Sequence, residues 1–300
     1  MIINPYSQGG RTKINYPYYL KQFKNNGFKY DKYHTERKKH STDIVKNVID
    51  DYDTFIAIGG DGLLHEMAQV LVHYNNKKLA IVPSGNGNMF ASHHWIYNIK
   101  DAVKAIKKDE NVKIDLVKIT FKQNNIKKTV YSHCIFGIGY ISDILRLANN
   151  YFRKIGPGLC YPMSSLFASA ILKNFKSTFI VDGKKENIKN TTTTIFLNQG
   201  QVGPFNIVEE SSDTDGILDY VLFKDVKKIE SLLCVMDTIL KTYTFDKHRR
   251  IGTAKKVEMY LEEKKELMID GEMYGKTKEF KAEVLPKCLN ILSNKNGAFQ

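Results

Sequence analysis

No apolar run in the chain approaches the ~18 residues that a membrane-spanning helix requires, so no spanning helix is expected. Nor is a signal peptide visible. Met1-Ile2-Ile3-Asn4-Pro5 passes straight into a strand and a turn, and a cytoplasmic protein is expected. Cysteine is scarce. The four present, Cys134, Cys160, Cys234 and Cys288, are scattered without a metal-type pair and read as reduced core thiols. Arg-rich helices and nucleic-acid motifs are missing, so no nucleic-acid partner is expected. Two phosphate-binding signatures are missing as well. Neither glycine-rich stretch continues into Gly-Lys-Ser/Thr, which excludes a Walker loop. The first of them also lacks the G-x-G-x-x-G spacing of a dinucleotide fingerprint.

What is present suffices for a sizeable core. Of 300 residues 42% are apolar, which suits one large domain or two ordinary ones. Basic residues number 45 against 32 acidic, a formal net charge of +13. That excess fits a Lys-rich solvated surface, and equally attraction to an anionic membrane surface or a polyphosphate.

Residues 54–71, TFIAIGGDGLLHEMAQVL, read as a strand, a glycine turn and a helix. Residues 54–58 are a short β-rich apolar run, and Leu63, Leu64, Met67, Val70 and Leu71 repeat at helical spacing. A glycine turn that opens a helix leaves bare backbone N–H groups where an anionic oxygen can sit. Asp61 puts a carboxylate in that turn. A second such turn follows in IVPSGNGN, residues 81–88. Two phosphate-type loops and one carboxylate point to phosphoryl transfer.

Taken in order, residues 1–4 form a strand, a helix starts near Pro17 and stops at Gly27, and 28–34 is a second strand. Ser41 or Thr42 caps a helix that carries Ile44, Val45, Val48 and Ile49 inward. A strand at 79–82 and a helix at 101–107 follow. This β-α-β-α order argues a parallel sheet with helices on its faces and ligands beyond the carboxyl ends of its strands. After about Asp109 strands succeed one another, at 112–121, 129–139, 178–188, 192–202, 218–223, 256–261, 266–269 and 279–285, with Asp182-Gly183 a two-residue hairpin turn. Helices interrupt them at 141–154, 163–173 and 229–240. The helix at 163–173 carries Leu166, Phe167, Ala170 and Ile171, which are expected to pack in the core or to line an alkyl-chain pocket. The expected fold is an α/β N-terminal domain with a parallel sheet, residues 1–109, followed by a mostly antiparallel β-sandwich C-terminal domain, residues 110–300. The active site is expected in the cleft between them, and the last strand is free to return to the first domain.

Seven motifs in order resemble those of the diacylglycerol kinase catalytic-domain superfamily, and within it those of the sphingosine kinases. Asn4-Pro5 with Gly9-Gly10 is similar to the opening nucleotide loop, and Thr35-Glu36-Arg37-Lys38-Lys39-His40 to T-E-R-x-x-H-A. Gly60-Asp61-Gly62-Leu63-Leu64-His65-Glu66 resembles S-G-D-G-L-x-x-E, with Leu63 where diacylglycerol and NAD kinases carry Thr. Pro83-Ser84-Gly85-Asn86-Gly87-Asn88 resembles P-x-G-S-G-N, and residues 136–143 resemble W-G-F-I-A-D. Residues 152–156 resemble R-R-L-G, and Ile269-Asp270-Gly271-Glu272 resembles D-G-E. Two positions depart from the pattern. Leu145 stands where a second head-group Asp is usual, and Leu159 where a second phosphate-contacting Arg is usual.

The resemblance implies an NAD kinase/diacylglycerol kinase-like fold and an ATP-dependent lipid kinase that uses Mg²⁺. The acceptor is the primary hydroxyl of a sphingoid base, or alternatively a diacylglycerol; a catalytically weak lipid-binding protein is the further alternative. Asp61 then orients the lipid hydroxyl and takes its proton, since a hydroxyl is a poor nucleophile until a base removes its proton. That Asp61 holds the metal instead stays open, as does a metal role for Glu272 or for the Asp213, Asp215 and Asp219 cluster. ATP is expected on Asn4, Pro5, Tyr6, Thr35, Gly60, Gly62, Glu66, Gly85, Asn86, Gly87, Asn88, Arg153, Asp270, Gly271 and Glu272. Lipid is expected on Asp61, Leu63 and Asp143. Transient contact with a membrane surface is implied because the substrate lives there, and a homodimer is left open.

Overall fold

In the computed structural model, which describes residues 1–152, 155–202, 205–240 and 246–295, the chain divides into two compact units. One comprises Met1–Leu116 with Leu285–Gln300, the other Val117–Val284. Among the described residues no helix is long and apolar enough to cross a membrane.

The first unit runs β1 (Ile2–Ile3), α1 (Arg11–Asn25), β2 (Tyr33–His34), α2 (His40–Asn47), β3 (Thr54–Gly59), α3 (Asp61–Leu71), β4 (Lys78–Pro83), α4 (Met89–His93) and α5 (Ile99–Lys108). Its sheet is parallel. β1 lies between β2 and β3, β4 lies beyond β3, and Asn290 and Ile291 pair in parallel with Lys78 and Leu79 at the far edge. The chain therefore leaves β1 toward one edge, through α1 to β2, and returns past it through α2 to β3. Right-handed crossovers running in opposite directions put their helices on opposite faces. Accordingly α2 packs with α3, and α1 packs with α5. Strand residues Ile3, Ile58, Leu79 and Val82 are buried, as are Leu63, Leu64, Met67 and Leu71 of α3.

Two expectations change here. Helix α1 starts at Arg11, with Pro17 inside it. The missing N–H of Pro17 costs one helical bond, and the first turn is anchored by buried Thr12, whose hydroxyl donates to the Ser84 carbonyl at 2.9 Å. The strand expected at 28–34 shrinks to Tyr33–His34, because β1 offers only Ile2 and Ile3 as partners. Phe28 instead packs its ring on Phe23, with centroids 5.6 Å apart.

The second unit continues strand β5 (Asn111–Gln123) into β6 (Ile126–Ser132), β7 (Ile135–Gly139), α6 (Tyr140–Leu147), α7 (Pro157–Ile171), β8 (Phe175–Val181) and β9 (Lys184–Leu197). A small hairpin of β10 (Gln201–Val202) and β11 (Phe205–Asn206) follows, then β12 (Leu218–Lys224), α8 (Lys228–Leu240), β13 (Arg249–Ala254), β14 (Lys256–Ile269) and β15 (Glu272–Leu292). Among the described residues the strand pairings within the unit are antiparallel. β9 and β14 are long, and each pairs with β8 along one half and with β7 along the other. Two strands shared in this way fold one ladder into the two layers of a β-sandwich. Between the layers lie Phe136, Phe179, Phe196 and Phe280, with Phe136 stacked on Phe196 at 4.5 Å. The Asp182-Gly183 turn joins β8 to β9 as expected, with both residues at positive φ. The run expected at 129–139 is instead two strands, and 256–269 is one strand rather than two.

Candidate active site

Strands β1 to β4 of the first unit all end on the same edge, and the loops that leave them carry most of the predicted residues. The sheet's switch point lies between β1 and β3, where the chain leaves in opposite directions. In open sheets of this kind the crevice there binds ligands. The Asn4 loop and the Gly59-Gly60 turn flank it.

Glycine serves different ends at different positions. A Cβ on Gly60 would lie 2.8 Å from the Gly85 Cα, and one on Gly85 would collide with the Gly60 Cα. The two turns thus touch backbone to backbone, a contact that only glycine pairs permit. Gly62 has open space where its Cβ would stand, and a Cβ on Gly87 would lie 3.1 Å from Asp61 Oδ2. Gly60→Ala is therefore expected to force the turns apart and to lower stability by about 1–3 kcal/mol. Gly62→Ala, inside α3, is expected to raise it by up to about 1 kcal/mol. Urea-unfolding midpoints of the two variants check the contrast.

Asp61 opens α3, half-buried. Its Oδ1 accepts the Phe90 N–H at 3.1 Å and its Oδ2 the Met89 N–H at 3.3 Å. The carboxylate is thereby held in one orientation between the two glycine turns. Asn88, at φ 50°, closes the second turn on itself: Gly85 N–H donates to its Oδ1 at 2.7 Å, and its Nδ2 donates to the Gly85 carbonyl at 2.8 Å. The first loop is tied to the same point, because Gln8 Nε2 also donates to the Gly85 carbonyl at 2.7 Å. Thr12 and Ser84 share a buried hydroxyl pair at 2.6 Å. Gln8, Thr12 and Ser84 were not expected to hold the site, and no spacing in the sequence signals it, since their bonds cross more than seventy residues. Asn86, Gly87 and Tyr6 are exposed at the loop tips. Asn4 Oδ1 accepts the Tyr6 N–H at 3.0 Å, which shapes the loop around Pro5.

Three expected roles in this unit change. Glu66 does not turn an empty carboxylate outward. Its Oε1 accepts the Lys39 N–H at 2.7 Å, and its Oε2 accepts the Ser41 hydroxyl. Thr42 Oγ1 donates to the Glu66 carbonyl at 3.0 Å. Lys39, at φ 62°, occupies the N-cap position of α2 and has no side-chain acceptor. The orphan amide of the helix start finds Glu66 instead, so neither Ser41 nor Thr42 caps the helix. Thr35 is buried, with its N–H on the Ile3 carbonyl at 2.9 Å. Leu63, expected at the lipid, is 3% exposed and packs where a Gly59 Cβ would stand, so it belongs to the core.

The remaining predicted residues belong to the second unit. Asp143 lies in the first turn of α6 and pairs with Arg146 at 3.4 Å, with Leu145 half-buried on the same helix. Arg153 lies outside the described residues. Asp270, expected at the nucleotide, is buried in the β14–β15 turn. Its Oδ1 accepts the Ser132 hydroxyl at 2.7 Å and the Cys134 and Ile135 N–H groups at 3.0 Å. Its Oδ2 accepts the His133 N–H at 3.0 Å and lies 2.8 Å from His133 Nδ1. A carboxylate so occupied fastens the β6–β7 turn. Asp270 and Gly271 have φ of 47° and 83° between the paired Ile269 and Glu272, the backbone of a two-residue hairpin. Glu272 is exposed.

In the acidic cluster Asp213 and Asp219 are buried and Asp215 Oδ1 accepts the Ile217 N–H at 2.9 Å. Burial pushes the carboxyls of Asp215 and Asp219 above their usual range, and repulsion from Asp213 and from Asp215 with Glu210 adds to it. Among the described residues the three carboxylates do not converge as a metal-binding group.

Residues 1–119 match the diacylglycerol kinase catalytic domain, and residues 135–293 match the YegS C-terminal NAD kinase beta sandwich-like domain. A diacylglycerol kinase of Bacillus subtilis (strain 168) is 24% identical over 277 residues, covering 92% of this chain and 89% of its own. The sphingoid long chain base kinase 4 of Schizosaccharomyces pombe is 32% identical over 118 residues, 36% of this chain and 25% of its own. A solved structure of a diacylglycerol kinase from Bacillus anthracis (str. Sterne) has the same fold, with a TM-score of 0.72 at 18% identity over 98% of this chain and 96% of that one. The chain belongs to the lipid kinase superfamily, as a diacylglycerol kinase catalytic domain followed by a YegS C-terminal NAD kinase beta sandwich-like domain, and it is a phosphotransferase.

Proposed function

We propose that the enzyme transfers the γ-phosphoryl group of ATP to the primary hydroxyl of a sphingoid base. The observation that carries the reading is the Asp61 carboxylate, held by two backbone N–H groups between touching glycine turns at the sheet's switch point. Phosphoryl transfer asks for positioning and charge stabilisation more than for covalent chemistry. The turns at 59–62 and 84–88 supply backbone amides for phosphate oxygens, and Asp61 receives the proton of the attacking hydroxyl. Mg²⁺ would supply a hard cation that neutralises charge on the phosphates, and Asp61 would hold it only in place of acting as the base. The likeness of residues 35–40 to the sphingosine kinase pattern favours the sphingoid acceptor.

Diacylglycerol is the second reading. It is favoured by Leu145, which removes the second head-group carboxylate, and by a relative of that name aligned over nearly the whole chain. Labelled ATP with Mg²⁺, offered sphingosine, diacylglycerol and ceramide side by side, decides between them. Label on sphingosine alone is expected. Label on diacylglycerol alone assigns the second reading, and label on none overturns both.

A further inference from the structure

Helix α4 is too short to hold itself. Its five residues, Met89–His93, make little more than one turn, far below the ~12–15 residues that an isolated helix needs in water. Yet its first two residues carry the site, because the Met89 and Phe90 N–H groups are the donors that hold the Asp61 carboxylate. Whatever fixes α4 therefore aims Asp61.

Part of that support is apolar. Phe90 and Ala91 are buried, as is Ile96 just beyond the helix. The rest lies at the other end, where the last carbonyls of a helix have no partner within it. There the chain returns 199 residues later, directly after β15 and within the same unit. His94, which follows α4, is 1% exposed. Its carbonyl accepts the Asn294 N–H at 3.2 Å and the Ser293 hydroxyl at 3.3 Å. Asn294 Nδ2 donates to the Trp95 carbonyl at 3.2 Å and to the Asp101 carbonyl at 2.9 Å. Lys295 Nζ lies 3.2 Å from His93 Nε2. Three consecutive residues, 293–295, thus close the end of α4.

The imidazole completes the path. Ser293 Oγ gives its proton to the His94 carbonyl and accepts the Lys295 N–H at 3.0 Å. Its second lone pair is left for a proton on His94 Nδ1, 3.2 Å away. The His94 ring packs on Phe90 with centroids 4.5 Å apart. Phe90 is the common member: its N–H lies on Asp61, its carbonyl accepts the His94 N–H at 3.2 Å, and its ring lies on the imidazole. A single residue separates the carboxylate from the clamp.

We propose that His94 and Ser293 are positioning residues for Asp61. The 293–295 segment holds α4 through His94, and α4 presents the two amides that orient the carboxylate. The inference rests on the reading of Asp61 as the group that receives the acceptor's proton, and one arm of its test is independent of that reading.

Ser293→Ala removes the hydroxyl and leaves the Asn294 backbone bond in place. With sphingosine or diacylglycerol, whichever takes label in the parent, it is expected to lower kcat about tenfold, since misplacing a reacting group by 1 Å costs up to about 10²-fold. KM for ATP is expected to stay within about twofold, because ground-state binding is untouched. In an Asp61→Asn background the same substitution is expected to cost nothing further, as the group it aims is gone. Hydrogen exchange at the Met89 and Phe90 amides is expected to quicken by about tenfold in Ser293→Ala, while the Ile56 and Ile58 amides of β3 keep the parent's rate. An equal loss of kcat in both backgrounds assigns Ser293 to the fold alone and overturns the proposal. Unchanged exchange at Met89 and Phe90 overturns it as well. A parent that labels neither lipid refutes the acceptor reading, and the exchange rates alone then decide the clamp. Should Ser293→Ala fail to fold, Asn294→Ala, which unties the Trp95 and Asp101 carbonyls from the same segment, is put through the same cycle with the same expected outcomes.

Discussion

Asp61→Asn is expected to cut kcat on the lipid acceptor by about 10²–10⁴-fold, the usual contribution of a positioned general base. The fold is expected to survive. Asn keeps one acceptor oxygen for the Phe90 or Met89 amide, so only one of two bonds at 3.1 and 3.3 Å is lost, a change of about 1 kcal/mol. Measuring kcat and the urea midpoint on the same preparation separates the two effects. The form of the loss identifies the role. A base lost to Asn stays lost at any Mg²⁺ concentration, whereas a metal ligand lost to Asn is recovered in part when Mg²⁺ is raised. An unchanged kcat would remove Asp61 from the reaction altogether and leave it as the residue that ties the two glycine turns.

The second large effect is expected on stability. Asp270→Ala removes the acceptor for one hydroxyl and three backbone N–H groups in a buried turn, and it leaves His133 beside a void. Breaking a buried charged cluster from one side costs about 3–5 kcal/mol. Alanine at φ 47° adds about 1–2 kcal/mol of backbone strain. Asp270→Asn tolerates the left-handed backbone and keeps the Oδ1 bonds, so it is expected to fall between the parent and alanine. Thermal and denaturant unfolding of the three proteins give the order. Should Asp270→Ala prove as stable as the parent and weaker only in ATP affinity, the residue would face the nucleotide as its motif implied.

These two aspartates show what the sequence makes legible. The turn that carries Asp61 was legible because its elements are local, an apolar strand, a glycine turn and a helix with a 3.6-residue apolar repeat, whereas the Met89 and Phe90 amides that fix its carboxylate lie 28 and 29 residues on. The Asp182-Gly183 hairpin was legible for the same reason. Asp270 was not, because the donors that claim its carboxylate lie 135–138 residues away in sequence. Glu66 escaped likewise, since the helix it completes begins 26 positions earlier. Helix α7 was misread for a different reason. Periodicity reveals that a stripe exists, but the rule that apolar means inward supplies the direction, and of its two expected roles the core one gives way here, since Ser164, Ser165 and Ser169 are buried while Leu166, Phe167 and Ile171 stand exposed. The glycines were half legible. Their sequence marks turns, yet only the fold shows that Gly60 and Gly85 are there for each other.

The pairing of Asn290 and Ile291 with Lys78 and Leu79 has a consequence for synthesis. The β4 side of the first unit's sheet waits for a segment that leaves the ribosome after the entire second unit. Until then the backbone of β4 offers unpaired N–H and C=O groups to any passing strand. Closing a gap of some two hundred residues adds only about 0.6 kcal/mol per doubling of loop length, so the delay is a matter of time rather than of stability. A nascent chain stalled before residue 285 would hold a complete Asp61 turn in an open-edged sheet, with the order of translation setting when the catalytic unit closes.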